Sequence, residues 1–145
     1  MTDIADFLRA RYQERRVLAE AASPGPWHVN AEHDEVLATD GITVAEGFAL
    51  SGRQLRATTE HIATHNPEDV IADLDAKLAI VEMHPPQELN EWDQRVYKLR
   101  YECAGESWTV YRDASEHVPY PCRTLRLLAQ QFAGHPDHKG EEWAP

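Results

Sequence analysis

The stretch 61–86, HIATHNPEDVIADLDAKLAIVEMHPP, decides the architecture. At its centre Asn66-Pro67-Glu68-Asp69 is a helix start. An Asn side chain accepts from the open N–H groups of a first turn, Pro loses no bond at the first helical position, and two carboxylates face the positive end of the dipole. Val70, Ile71, Leu74, Leu78 and Val81 then recur at helical spacing, so one face is apolar. Asp73 and Lys77 add an i,i+4 pair on its flank. Pro85-Pro86 cannot continue the helix, which therefore covers 67–84 and ends on His84. Upstream, Ser51-Gly52 breaks the chain, and Leu55, Thr58, Thr59 and Ile62 share one face of a helix over 53–65.

The flanks follow the same grammar. Residues 3–22 read as a helix capped by Asp3, with Ile4, Phe7, Leu8, Tyr12, Leu18, Ala19 and Ala22 on one stripe. Arg11 and Arg15 fall on that stripe too; their stems can cover the core edge while the heads reach water, or the pair can hold an anion. Ser23-Pro24-Gly25-Pro26 ends the helix. Asp40-Gly41 between two apolar runs marks a hairpin, so 26–48 is expected to form a small antiparallel sheet with Trp27 as a core anchor.

Residues 87–118 carry both periodicities. A short helix near 87–94 is expected there, then a hairpin in which Tyr97, Leu99, Tyr101 and Cys103 return through 104–106 as Trp108 to Tyr111, with 113–119 as loop. Cys122, Leu125, Leu128, Ala129 and Phe132 stripe a helix over 121–133, which Gly134 and Pro136 end. The tail 134–145 is polar apart from Trp143, and His135 and His138 are expected in solvent. The sum is an α+β fold: one small domain, 1–145, with a short antiparallel sheet packed against three to four amphipathic helices.

Length and charge bound the function. A chain of 145 residues fits one domain and buries a real core. Net charge is −11, from 25 acidic and 14 basic residues spread along the chain, with no basic stripe. Binding to a nucleic-acid backbone is therefore disfavoured, and a basic protein partner is favoured. The opening MTDIADFLRARYQERR has charges in every turn, unlike an export signal, and no run approaches the roughly 18 apolar residues of a membrane span. A cytoplasmic, non-membrane protein with reduced cysteines is expected.

The chemistry-bearing residues are few. No G-x-S-x-G elbow, P-loop, dinucleotide fingerprint or EF-hand loop occurs in the sequence, so catalysis has little support. His61 and His65 sit four apart, but Ile62 stands where a zinc peptidase has glutamate, and His65 suits the capping of terminal carbonyls. His84, Cys103 and Cys122 offer imidazole and thiolate, the ligands of an intracellular zinc site. Three readings of the cysteines stay open: two buried thiols, a metal site, or a disulfide. A redox role for Cys122 would need its thiol lowered by the helix start and exposed.

Three blocks together, DIADFLRARY with Gly25-Pro26-Trp27, then HIATHNPEDVIADLDAKLAIVEMH, then YPCRTLRLLAQQFAGHPDHKGEEWAP, resemble a family of small uncharacterised proteins of actinobacteria and their phages. The resemblance implies no reaction. It does imply a zinc knuckle built on a C-x-x-C pair ahead of a Pro-Cys step. Cys103 matches the first cysteine and Cys122 the Pro-Cys cysteine; Glu106 stands in place of the second, and His84 is a candidate fourth ligand. The leading expectation is a non-catalytic binding or regulatory module acting on a protein partner through its acidic surface. The alternative is a zinc-binding protein using His84, Cys103 and Cys122, with Glu106 or His61 as the weaker fourth donor.

Overall fold

The computed structural model describes residues 3–97, 101–110 and 114–145. The fold is α+β, with short antiparallel ladders set among amphipathic helices. The elements in order are α1 (Ile4–Glu20), β1 (His28–Val29), β2 (Glu35–Leu37), β3 (Thr43–Glu46), α2 (Gly52–Ala63), α3 (Pro67–Glu82), β4 (Pro86–Glu88), α4 (Glu91–Tyr97), β5 (Tyr101–Cys103), β6 (Trp108–Val110), β7 (Ala114–Glu116) and α5 (Arg123–Ala129). Two single turns of 3-10 helix, Gln130–Phe132 and Gly140–Trp143, close the chain. No described helix is long and apolar enough to cross a membrane. Residues 13–75 form one compact unit; residues 1–12 with 76–145 form another.

In the first unit β1, β2 and β3 make an antiparallel meander with Val36 opposite both Val29 and Ala45. Its second turn is the Asp40-Gly41 corner, where Ala38 N–H donates to Ile42 at 2.9 Å and Gly41 takes φ +81°, a conformation that favours glycine. Val36 and Ala38 are fully buried, and α2 lies across β1 and β2. Thr59 ties the helix down by donating to the His33 carbonyl at 3.0 Å. Trp27 is only half-buried, with its indole N–H on the Ser23 carbonyl.

The helix start at Asn66 forms as its sequence implies. Its amide oxygen accepts from Glu68 and Asp69 N–H at 3.1 and 3.3 Å, and its NH2 donates to the Asp69 carboxylate at 2.6 Å. The same reciprocal cap recurs at Asn90 with Trp92 and Asp93, so the helix expected over 87–94 starts only at Glu91, and Pro86–Glu88 form β4 instead.

In the second unit the start of α1 buries Ile4, Phe7, Leu8 and Tyr12. Phe7 meets Phe132 edge-on at 6.0 Å and Trp143 at 5.0 Å, and Tyr12 meets Phe132 at 5.7 Å. Trp143 is 1% exposed, so the tail is anchored there. His135 and His138 are not left in water either: their rings stand edge-on to Phe7 at 5.6 and 5.9 Å. Burial of a large aromatic side chain outweighs the polarity of its neighbours, which a window over the tail averages away. The predicted stripe of α1 fails at Leu18, which is 72% exposed. The Arg11 head does not simply reach water: it sits 5.4 Å over the Phe7 ring and 3.3 Å from His135 Nδ1.

The predicted hairpin between 97–103 and 108–111 does not form among the described residues. Instead β5 pairs with β4, with Pro86 opposite Cys103, Gln87 opposite Glu102 and Glu88 opposite Tyr101. β6 pairs with β7, which falls inside the expected loop. Leu99 and Tyr111, assigned to that hairpin, lie outside the described residues. Three-residue strands carry too little alternation to choose a partner, so the choice passes to non-local packing.

Candidate metal centre

Four chain segments of the second unit converge on one buried spot. His84 ends the α3 segment, with its N–H on the Val81 carbonyl. The β4–β5 ladder, with Ala104 N–H donating to Pro85 at 3.1 Å, draws Cys103 toward it. A tight turn follows, in which Glu106 and Ser107 N–H both donate to the Cys103 carbonyl, at 3.1 and 3.0 Å. Residues 118–120 return along β5: Cys103 N–H donates to Val118 at 2.8 Å, and Glu102 bridges Pro119. Cys122 then stands at the position just before α5.

The side chains that meet are metal-capable. Ligand atoms of His84, Glu106 and Cys122 all lie within 4.8 Å of one another. The Cys103 sulfur is 2.8 Å from the Cys122 sulfur and 3.7 Å from the His84 carbonyl oxygen. Both cysteines are free thiols and completely buried. The His84 Nδ1 is 2.6 Å from the Ile80 carbonyl. A carbonyl only accepts, so Nδ1 carries a hydrogen, and Nε2 is the nitrogen that faces Glu106 Oε1, 3.9 Å away. This is the outer-sphere arrangement that orients a metal-binding imidazole.

Electrostatics at the spot oppose an activated thiol. Glu106 Oε1 accepts from the Thr124 N–H at 3.3 Å. A hydrogen bond from the Thr124 side chain, opposed by burial and aided by Cys122, by this Thr124 N–H and by His84, holds the carboxyl below its usual range. Burial pushes the Cys122 thiol up to about 12, with further contributions from the Cys103 and Glu106 hydrogen bonds; the Leu125 N–H at the helix start works the other way and loses. The raised thiol and its burial both run against the lowered, exposed thiol that a redox role for a lone Cys122 would need.

Of the four residues named from the sequence, His84, Glu106 and Cys122 come within ligand distance of one another, and Cys103 joins them through the Cys122 sulfur alone. Sequence reasoning missed Gly105. A Cβ there would stand 2.4 Å from the Met83 carbonyl oxygen and 2.9 Å from His84 Nε2, so only glycine lets the turn pass over the imidazole. It missed the Ile80 carbonyl as well, although the i,i+4 spacing to His84 on one helix face could have pointed to it. His61 belongs to the other unit, where its carbonyl accepts from His65 Nδ1 at 2.8 Å, and His65 thus caps the end of α2. The chain belongs to DUF6221, a family of unknown function, whose model matches residues 1–145. No curated protein and no solved structure matches it.

Proposed function

We propose that this member of DUF6221 is a zinc-binding protein whose ion is held by His84, Cys103, Glu106 and Cys122 in a structural, non-catalytic site. The observation that carries the reading is the convergence of the buried Cys122 sulfur, a carboxylate oxygen and an imidazole nitrogen, with the Cys103 sulfur beside that of Cys122. Zinc bonds of about 2.0–2.3 Å set ligand atoms about 3.3–3.8 Å apart in a tetrahedron. The 3.9 Å from His84 to Glu106 is close to that edge; the sulfurs would part by about 1 Å, with Cys103 drawn toward the other three donors. Soft thiolates with imidazole favour zinc over magnesium or calcium, and four protein donors fill the shell of a structural ion. Elemental analysis of protein purified without an affinity tag tests this. About one zinc per chain is expected; substoichiometric zinc, with both thiols titrating freely in the native state, sinks it.

Gly105 sharpens the test. Gly105→Ala is expected to overpack the turn by about 1–3 kcal/mol and to turn His84 aside, lowering zinc affinity about 10–100-fold. Competition against a chromogenic chelator reads the affinity. An unchanged value would remove His84 from the ligand set.

A second reading is favoured by the distribution of charge. Residues 13–75 hold twelve acidic against four basic residues, most of the net negative charge. Such a unit suits a Lys/Arg-rich partner segment. A basic peptide is expected to bind it with an affinity that falls as salt rises; no binding, or binding indifferent to salt, counts against this reading.

A further inference from the structure

We infer that Cys103 and Cys122 form a redox gate on the metal site, in which two-electron oxidation by a peroxide joins the sulfurs and expels the ion. This rests on the zinc reading above and adds a regulation to it.

The geometry places the sulfur pair between two end states. Its 2.8 Å separation lies between the roughly 2.05 Å of a disulfide and the roughly 3.8 Å of two thiolates on one zinc. The sulfur–sulfur distance of either state is within about 1 Å of this separation. β5 is held on one side by β4 and on the other by residues 118–120, so a shift this small falls to the side chains.

The two states exclude each other. Joining the sulfurs leaves His84 and Glu106 as donors, one imidazole and one carboxylate, where a structural zinc needs four. The ion in turn occupies the lone pairs that an oxidant must reach, so zinc and oxidation oppose each other reciprocally. The site is also approachable from one side: the Glu106 side chain is 26% exposed and that of His84 11%, while both cysteines are sealed.

The step balances. Each thiolate gives up one electron as the S–S bond forms. Hydrogen peroxide takes both electrons and two protons, its O–O bond breaks, and two waters leave. The zinc ion departs with its charge unchanged. A dithiol reductant with added zinc reverses the change.

The test uses the full chain with its zinc content measured before any oxidant. Hydrogen peroxide is then added. Zinc release, free thiols after denaturation, intact mass and a peptide map are followed together. Zinc release in step with loss of both thiols is expected, along with a peptide map joining Cys103 to Cys122 within one chain. Reductant and zinc should restore the starting state. Zinc retained while the thiols oxidise, oxidation to sulfinic acid instead of a disulfide, or disulfides only between chains would each overturn the gate. A protein without zinc at the outset removes the zinc reading and the gate with it, whereas a zinc-loaded protein that fails the later steps removes the gate alone. Cys103→Ser can fail to fold, so the wild-type peptide map decides.

Discussion

Stripping the zinc-loaded protein with a chelator is expected to lower its melting midpoint by about 10 °C or more. An ion that binds only the folded chain, at a thousand times its Kd, stabilises by about 4 kcal/mol. For a chain of this length about 3 °C follows from each kcal/mol. The ligands also come from segments far apart in sequence, 84, 103, 106 and 122, so the ion closes loops that the unfolded chain leaves open. Cys122→Ser should reproduce the loss in the presence of zinc. Glu106→Gln should lose less, because the other three donors remain. Should Cys122→Ser not fold, cobalt substituted into the wild-type chain still reports thiolate coordination by its absorption. Coincident melting curves with and without chelator would reject a structural role.

Glu102→Ala is expected to cost about 3–5 kcal/mol, the second large effect. Glu102 lies on β5 next to Cys103 and its carboxylate accepts a hydrogen bond from His117 Nδ1. Both side chains are more than nine-tenths buried. Removing the carboxylate strands the imidazole in a place built for a charged partner; His117→Ala strands the carboxylate in the same way. Replacing both at once by apolar residues of similar volume should recover most of the loss, since a buried pair is worth little beyond the harm of breaking it. Urea unfolding of the four proteins in a double-mutant cycle measures the coupling. Additive single effects would mean that the pair is not coupled. Zinc affinity read in the same proteins shows whether the β5 position of Cys103 depends on this neighbour.

The helices were legible because their signals are local. Asn66, Pro67, Glu68 and Asp69 state a helix start within four residues, and the structure makes that cap bond for bond. The β2–β3 turn was legible for the same reason, since Asp40-Gly41 specifies a conformation that few other pairs adopt. The candidates were legible: His84, Cys103 and Cys122 stand out by ligand chemistry alone, and Glu106 by its place in the resemblance. Ligand type does not tell whether the groups meet. That depends on β5 taking β4 as its partner instead of β6, a choice among three-residue strands that neither alternation nor spacing decides.

The amino-acid sequence by itself determined the α+β class, the helix starts and stops, the acidic surface and the residues able to hold a metal. Propensity, capping and side-chain chemistry are properties of a residue and its near neighbours. Only the tertiary structure decided that Trp143 closes the core from the tail, that Leu18 stays outside, that Gly105 clears the space over His84, and that two sulfurs nineteen positions apart lie 2.8 Å from each other. Each of these depends on burial and pairing between distant segments, where the free energy of packing the whole chain outweighs any local preference.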